Sequence, residues 1–322
     1  MSDNDLDQVL LAPVRPISLM TLSPAVDVSY EVETLHIDEK THARSNRFDP
    51  GGNGINVARA LGELGIVSSN VIIAAGTMGE LLRHLVGEPS GTHWVKVDGE
   101  TRVNATIIQA EPPAQFEITG VGPTVTEVAL AEVAEIFLGG ALGGYGVLTG
   151  SLPPGTPEDF YCEMVSTLTS QGALAVVDSR GSILEQTLRY KPFLIKPNQY
   201  ELGQLCGQSV SRIEQVITQA RRLHEGGVAN VCVSLGARGA VLVCEEGCFV
   251  ATAPDIKVIS TVGSGDSMVG GLLASLASGA SASFALKLGV ACGSATATKP
   301  GTALFAKADL GVLLDEISVT RA

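Results

Sequence analysis

Thr261-Val262-Gly263-Ser264-Gly265-Asp266-Ser267-Met268 runs into an apolar stretch, 265–278, that reads as a helix. Gly263 and Gly265 let the backbone bend tightly and approach a ligand closely. A helix starting here turns its unpaired N–H groups and the positive end of its dipole toward the loop. Asp266 then falls in the first turn. Two readings fit this local pattern. Asp266 caps the helix, or the turn is an anion hole for a transferring phosphoryl group, with Asp266 taking the proton of the attacking hydroxyl.

On either side of this turn, short apolar runs alternate with helical ones. Candidate strands are 17–22, 71–75, 146–150, 174–178, 193–196, 230–235 and 239–244. Candidate helices are 79–86, 126–138, 158–171, 199–205, 211–225, 265–278 and 282–298. Val57, Ala60, Leu61 and Leu64 add a further helical face that ends at Gly65. Apolar strands separated by amphipathic helices predict an α/β fold with a mostly parallel sheet covered on both faces. Gly236 and Gly239 predict an antiparallel hairpin over 239–250. In such sheets ligands bind beyond the carboxyl ends of the strands. That directs attention to 150–155, 178–182, 196–201, 235–239 and 260–266. Segments 26–48 and 101–119 differ: Val103, Ala105 and Ile107 alternate with polar residues, the period-2 mark of half-exposed strands. They predict a small sheet beside the main body.

Asp49-Pro50-Gly51-Gly52-Asn53-Gly54-Ile55-Asn56-Val57-Ala58-Arg59 is a second glycine cluster opening a helix. It reads either as a tight turn with an N-cap or as a surface of backbone and amide groups for sugar hydroxyls.

Bulk properties narrow the function classes. The formal net charge of −13 argues against nucleic-acid and membrane-surface binding, so an anionic substrate needs local cations. No apolar run reaches the about 20 residues that span a bilayer. Residues 1–16, with Asp3, Asp5 and Asp7, lack a signal-peptide pattern and read as a disordered leader ahead of one domain, 17–322. The six cysteines are scattered and read as buried thiols of a cytoplasmic protein. Five separated histidines form no ligand pair. G-x-x-x-x-G-K-[ST], G-x-G-x-x-G after a strand, and G-x-S-x-G are all absent.

Taken in order, these segments resemble the ribokinase-like carbohydrate kinases of the PfkB family, over about residues 17–318. Thr21–Asp27 resembles the opening of the family's phosphosugar branch, Gly51–Arg59 its first signature and Ser260–Gly270 its second. Gly150–Gly155, Lys196–Gln199 and Ser234–Gly236 add further matches. The resemblance implies a ribokinase-like three-layer α/β/α fold with a small β-sheet lid formed by about 26–48 and 101–119. It implies ATP-dependent phosphorylation of a ketohexose phosphate (fructose 6-phosphate, fructose 1-phosphate or tagatose 6-phosphate). The alternatives are a kinase for an unphosphorylated sugar or nucleoside, and a non-catalytic sugar-phosphate sensor.

Roles follow from the same resemblance. Asp266 would be the base, with Gly263, Ser264 and Gly265 as anion hole. Asp27, Lys40, Gly51, Gly52, Asn53, Asn56, Arg102 and Asn104 would meet the sugar substrate, Lys40 and Arg102 being the required cations. Lys196, Asn198, Ser234, Gly236, Gly239 and Ser294 would hold ATP. Asn198 and Glu201 would place magnesium through water, and potassium is a candidate activator. The lid implies a homodimer. Many phosphosugar relatives carry lysine where this chain has Asn53. Tyr200 and His42 stand where the family pattern has a lysine and an arginine.

Overall fold

In the buried strands, neighbouring residues feed two different cores, which is why these strands read as continuous apolar runs. The computed structural model describes residue 6 and residues 12–322. Its first part contains β1 (Ile17–Thr21), β2 (Ala25–Val32), β3 (Ser45–Gly51), α1 (Asn53–Glu63), β4 (Ser69–Ala75), α2 (Gly76–Val86), β5 (Thr92–Val97), β6 (Arg102–Gln109) and β7 (Ala114–Ile118). There follow α3 (Glu127–Gly140), β8 (Tyr145–Thr149), α4 (Phe160–Ser170), β9 (Leu174–Asp178), α5 (Gly181–Thr187), β10 (Leu194–Ile195), α6 (Gln199–Leu205) and α7 (Ile213–Glu225). The chain closes with β11 (Asn230–Ser234), β12 (Ala240–Cys244), β13 (Gly247–Ala251), α8 (Ser264–Ala277), α9 (Ala282–Ala297), α10 (Leu310–Glu316) and β14 (Val319–Arg321).

The main sheet has the order β14-β13-β12-β11-β10-β9-β8-β1-β4-β5. It is parallel from β5 to β11 and antiparallel from β11 to β14. Leu19, Val147 and Val176 join the core shared with α1, α8 and α9. Met20, Leu148 and Val177 join the core under α3 and α4 on the opposite face. This is the three-layer arrangement expected from the sequence, including the 239–250 hairpin.

The second sheet, β3-β2-β6-β7, is the expected lid. Pairing puts Val28, Phe48, Ala105 and Ile118 on one face, and Tyr30, Ile107 and Phe116 beside them. Asp27, Asp49 and Asn104 pair on the other face, at the base of the sheet. The apolar face is buried at its base, where Val26 and Val28 pack with Ile55, Ile72 and Leu82.

The structure departs from the sequence reading at the edges. β5 and β14 were not expected, and both are sheet edges whose half-exposed residues carry no apolar run. Helices α5 and α10, seven residues each, were also not expected. Candidate strand 193–196 contracts to the two residues of β10. Of the expected disordered leader, residues 1–5 and 7–11 lie outside the described residues. The rest is held in place: Leu6 is buried and Val14 packs on the core. Arg15 N–H donates to Ala277 O at 3.1 Å, and Tyr145 N–H donates to Pro16 O at 2.8 Å. Apolar contact and backbone pairing here prevail over the acidic composition. All six cysteines are free thiols, five of them buried, in keeping with a packing role.

Candidate active site

The loop ahead of α8 is pinned to the end of α9. Ile259 N–H donates to Ala297 O at 2.8 Å, and the Ser260 hydroxyl donates to Gly301 O at 2.8 Å. Gly263 then takes a left-handed conformation (φ 77°), which a side chain would strain, and starts the helix. Asp266 sits in the first turn, buried. Its carboxylate does not cap its own helix. It accepts from Asn53 Nδ2 at 2.9 Å and from Asn56 Nδ2 at 2.8 Å, both on α1. A buried carboxylate held by two amides from another helix is a positioned group, so the capping reading falls. Ser264 Oγ and Asn56 Oδ1 are buried beside it with no hydrogen-bond partner among the described residues.

The same edge of the sheet carries a buried ion pair. Lys196, just after β10, places Nζ 3.2 Å from Asp178 Oδ1 at the end of β9. A Cβ on Gly265 would lie 3.3 Å from that Nζ, so the ammonium faces the first turn of α8. Burial pushes the Asp266 carboxyl above its ordinary range, against the pull of Asn56, Asn53 and Lys196. Burial also raises Asp178 to about 6, with Asp266 adding to it and Lys196 opposing. Burial disfavours the Lys196 ammonium, yet Asp178 and Asp266 outweigh it and hold it charged.

These shifts predict opposite pH responses for activity and stability. Asp178 binds its proton more readily folded than unfolded. Its contribution to stability is therefore greatest in acid and is lost as pH rises through about 6. A base at Asp266 must be ionised to take a proton, so kcat/KM should fall on an acid limb set above the ordinary aspartate range, while the melting temperature does not fall with it. A limb in the ordinary aspartate range, or one that coincides with unfolding, would contradict this.

The small sheet brings together several of the residues expected to meet the substrate. Asp27 accepts from Asn104 Nδ2 at 2.8 Å, its cross-strand partner. Burial raises the Asp27 carboxyl, and Asn104 and Arg102 counter that. A Cβ on Gly51 would lie 2.4 Å from Asp27 Oδ2, so glycine is needed there for the carboxylate to lie flat against the turn. Gly52 and Asn53 follow directly and lead into α1. Arg102 Nη2 donates to Ser23 O at 2.6 Å, while Nε is buried without a partner among the described residues. Lys40 is not brought to this site. It lies on the exposed connection between β2 and β3 with no hydrogen bond or ion pair among the described residues, because that connection leaves the sheet at the end away from Asp27.

On the other side of α8, Ser234, Gly236, Gly239, Ser264, Gly265 and Ser294 line a cavity of 430 Å³ walled largely by apolar side chains. Asn198, Ser234 and Gly236 line a neighbouring cavity of 700 Å³. Asn198 and Glu201 form a reciprocal capping box: Asn198 Oδ1 accepts from Glu201 N at 2.9 Å and Glu201 Oε2 accepts from Asn198 N at 2.8 Å. That fixes both at the mouth of α6 and leaves one carboxylate oxygen uncommitted. Tyr200 is exposed, its hydroxyl accepting from Gln204 Nε2 at 3.1 Å.

The sequence reading missed Asp178. The loop 178–182 was marked only by its position after a strand, and a lone aspartate there carries no motif. It is the partner of Lys196 that reveals it.

Comparison with known proteins agrees with this geometry. Residues 18–309 match the model of the "pfkB family carbohydrate kinase". The 1-phosphofructokinase of Bacillus subtilis is 33% identical over 308 residues, covering 95% of this chain and 99% of its own length. The ATP-dependent 6-phosphofructokinase isozyme 2 of Escherichia coli is 34% identical over 298 residues, covering 91% and 96%. The crystal structure of phosphofructokinase-2 from Escherichia coli in complex with potassium superposes with a TM-score of 0.87 at 33% identity, covering 94% of this chain and 98% of that one.

Proposed function

We propose, for a chain that belongs to the pfkB family of carbohydrate kinases, that it transfers the γ-phosphoryl group of ATP to a hydroxyl of a ketohexose phosphate, giving a bisphosphate. The observation that carries this reading is the Asp266 carboxylate, buried at the start of α8 and held by Asn53 and Asn56 between lid and cavity. The relatives' names support a phosphosugar acceptor, with fructose 6-phosphate and fructose 1-phosphate as candidates; tagatose 6-phosphate is a further candidate from the sequence resemblance alone.

Asp27 and Asn104 orient the sugar hydroxyls from the lid. Asp266 accepts the proton as the hydroxyl oxygen bonds to the γ-phosphorus. The bond from phosphorus to the β–γ bridging oxygen breaks, and ADP leaves. The first-turn N–H groups of α8, at Gly265 and Asp266, face the charge that spreads over the transferring oxygens. Lys196 adds a fixed positive charge beside them. The adenine side of ATP occupies the cavity by Gly236, Gly239 and Ser294.

No group of three or more His, Cys, Asp or Glu gathers among the described residues. That suits magnesium, which keeps several waters and binds through one or two carboxylates plus substrate phosphates. Asn198 and Glu201 would hold its water shell, with Asp178 close enough to feel the Glu201 charge. The metal would neutralise phosphate charge. Potassium is a candidate activator on the strength of the Escherichia coli relative's complex.

A homodimer through the lid is supported by its apolar outer face, where Tyr30, Phe48, Val103, Phe116 and Ile118 are exposed. Phe116→Glu should convert dimer to monomer in analytical ultracentrifugation, and an unchanged mass would reject this interface. Free, largely buried thiols are consistent with a cytoplasmic setting, and no helix among the described residues is long and apolar enough to cross a membrane.

The functional test is ADP release from ATP and magnesium with each of the three phosphosugars, fructose, ribose and adenosine. Turnover with a phosphosugar supports the reading. Turnover only with an unphosphorylated acceptor, or none in protein that binds ATP, rejects it.

A further inference from the structure

Arg180 ends the turn after β9, two residues beyond Asp178. It is exposed, does not cap α5 with its side chain, and has no hydrogen bond or ion pair among the described residues. Sheet order places β8 between β9 and β1. The turn Gly150–Ser151 after β8 therefore lies between Arg180 and Ser23, the residue after β1 whose carbonyl holds Arg102.

This edge is rigid. Gly150 N–H donates to Asp178 O at 3.3 Å, and the Ser179 hydroxyl donates to Gly150 O at 3.0 Å. A Cβ on Gly150 would lie 3.1 Å from Asn53 Oδ1, and Asn53 in turn donates to Asp266. Asp266, Asn53, the Gly150–Ser151 turn and Arg180 thus form one row along the carboxyl edge.

Arg102 lies within electrostatic reach of Arg180. The Arg102 guanidinium is pushed below its usual range by burial, and Arg180 lowers it further against the pull of Asp27. Asp27, the carboxylate that pulls on Arg102, already accepts from Asn104. Arg102 Nε remains a buried donor without a partner among the described residues. Two guanidiniums within electrostatic reach of each other, on the carboxyl edge that also carries the exposed Ser151, are suited to a dianion, which takes forked bonds from guanidinium. The chain's −13 charge makes such a local cation pair necessary for an anionic substrate.

We propose that Arg180 is a specificity-determining residue that, with Arg102, grips the phosphate the substrate already carries, over the Gly150–Ser151 turn and at the end remote from the reacting hydroxyl. It adds a second cation from the same chain beside Arg102. The inference rests on the phosphosugar-kinase reading of the Asp266 site.

The test is steady-state kinetics of the full chain and of Arg180→Ala, Arg180→Lys and Arg180→Glu. Each is assayed with the phosphosugar that the unmodified chain turns over and with the same sugar lacking the phosphate. Loss of a charge-assisted contact should raise KM for the phosphosugar about 10- to 100-fold in Arg180→Ala. KM for ATP and kcat should hold, and the unphosphorylated sugar should be used no worse. Arg180→Lys should recover part of the loss and Arg180→Glu deepen it. An unchanged phosphosugar KM in Arg180→Ala, with the unmodified chain active, overturns the role of Arg180 and leaves the kinase reading intact. A parallel loss with both sugars shows a structural role and also overturns it. An unmodified chain that acts on no phosphosugar overturns both.

Discussion

Asp266→Asn should lower kcat by about 10²–10⁴-fold, the usual range for losing a positioned base. KM for ATP should stay near its original value, because the cavity beside Gly236 and Ser294 is untouched. The substitution keeps shape and removes charge. Folding already works against that charge, since burial raises the Asp266 carboxyl. The melting temperature should therefore hold or rise, even with Asn53 and Asn56 now facing an amide. Rate loss without stability loss is the signature of a catalytic group placed at a cost to the fold. Retention of kcat in a folded Asp266→Asn protein would remove the base from this site.

Lys196→Met should damage both function and fold. The ammonium faces the first turn of α8 and pairs with Asp178 at 3.2 Å, with both groups little exposed. Removing one fixed charge beside the transferring group should cost about 10²-fold in kcat. KM for ATP should rise as well. Truncating one partner of a buried pair typically costs about 3–5 kcal/mol, because the other charge is stranded. Asp178 can escape by taking up a proton, and it is already raised to about 6 with Lys196 in place. The stability deficit relative to the unmodified chain should therefore shrink from pH 8 to pH 5. Chemical denaturation across that range reads it directly; a deficit independent of pH would mean that Asp178 is not the stranded partner.

The elements that were legible in the sequence are those with a strong local period. Val147 and Leu148, or Val176 and Val177, sit in strands buried on both faces, so every position is apolar and the run is plain. The lid strands alternate because one face carries Asp27 and Asn104 and the other Val28 and Ala105. The glycine turns at 51–54 and 263–265 marked the site because close packing excludes side chains there: at Gly51 by Asp27, at Gly263 by its left-handed backbone. The edge strand Thr92–Val97 stayed hidden because its outward residues are polar and its partner lies on one side only.

The sequence by itself determined the layered α/β class, the lid segments, the two glycine turns and Asp266 as the aspartate at a helix mouth. These are local properties, set by periodicity and by what glycine permits. Only the tertiary structure decided that Asp178 pairs with Lys196, that Asn53 and Asn56 both hold Asp266 across more than two hundred residues of chain, that Lys40 stays away from Asp27 of its own chain, and that Arg180 comes within electrostatic reach of Arg102. Those relations depend on strand order. Placing β8 between β1 and β9 brings the ends of distant segments side by side, and strand order is fixed by the packing of whole layers, which no single stretch of sequence encodes.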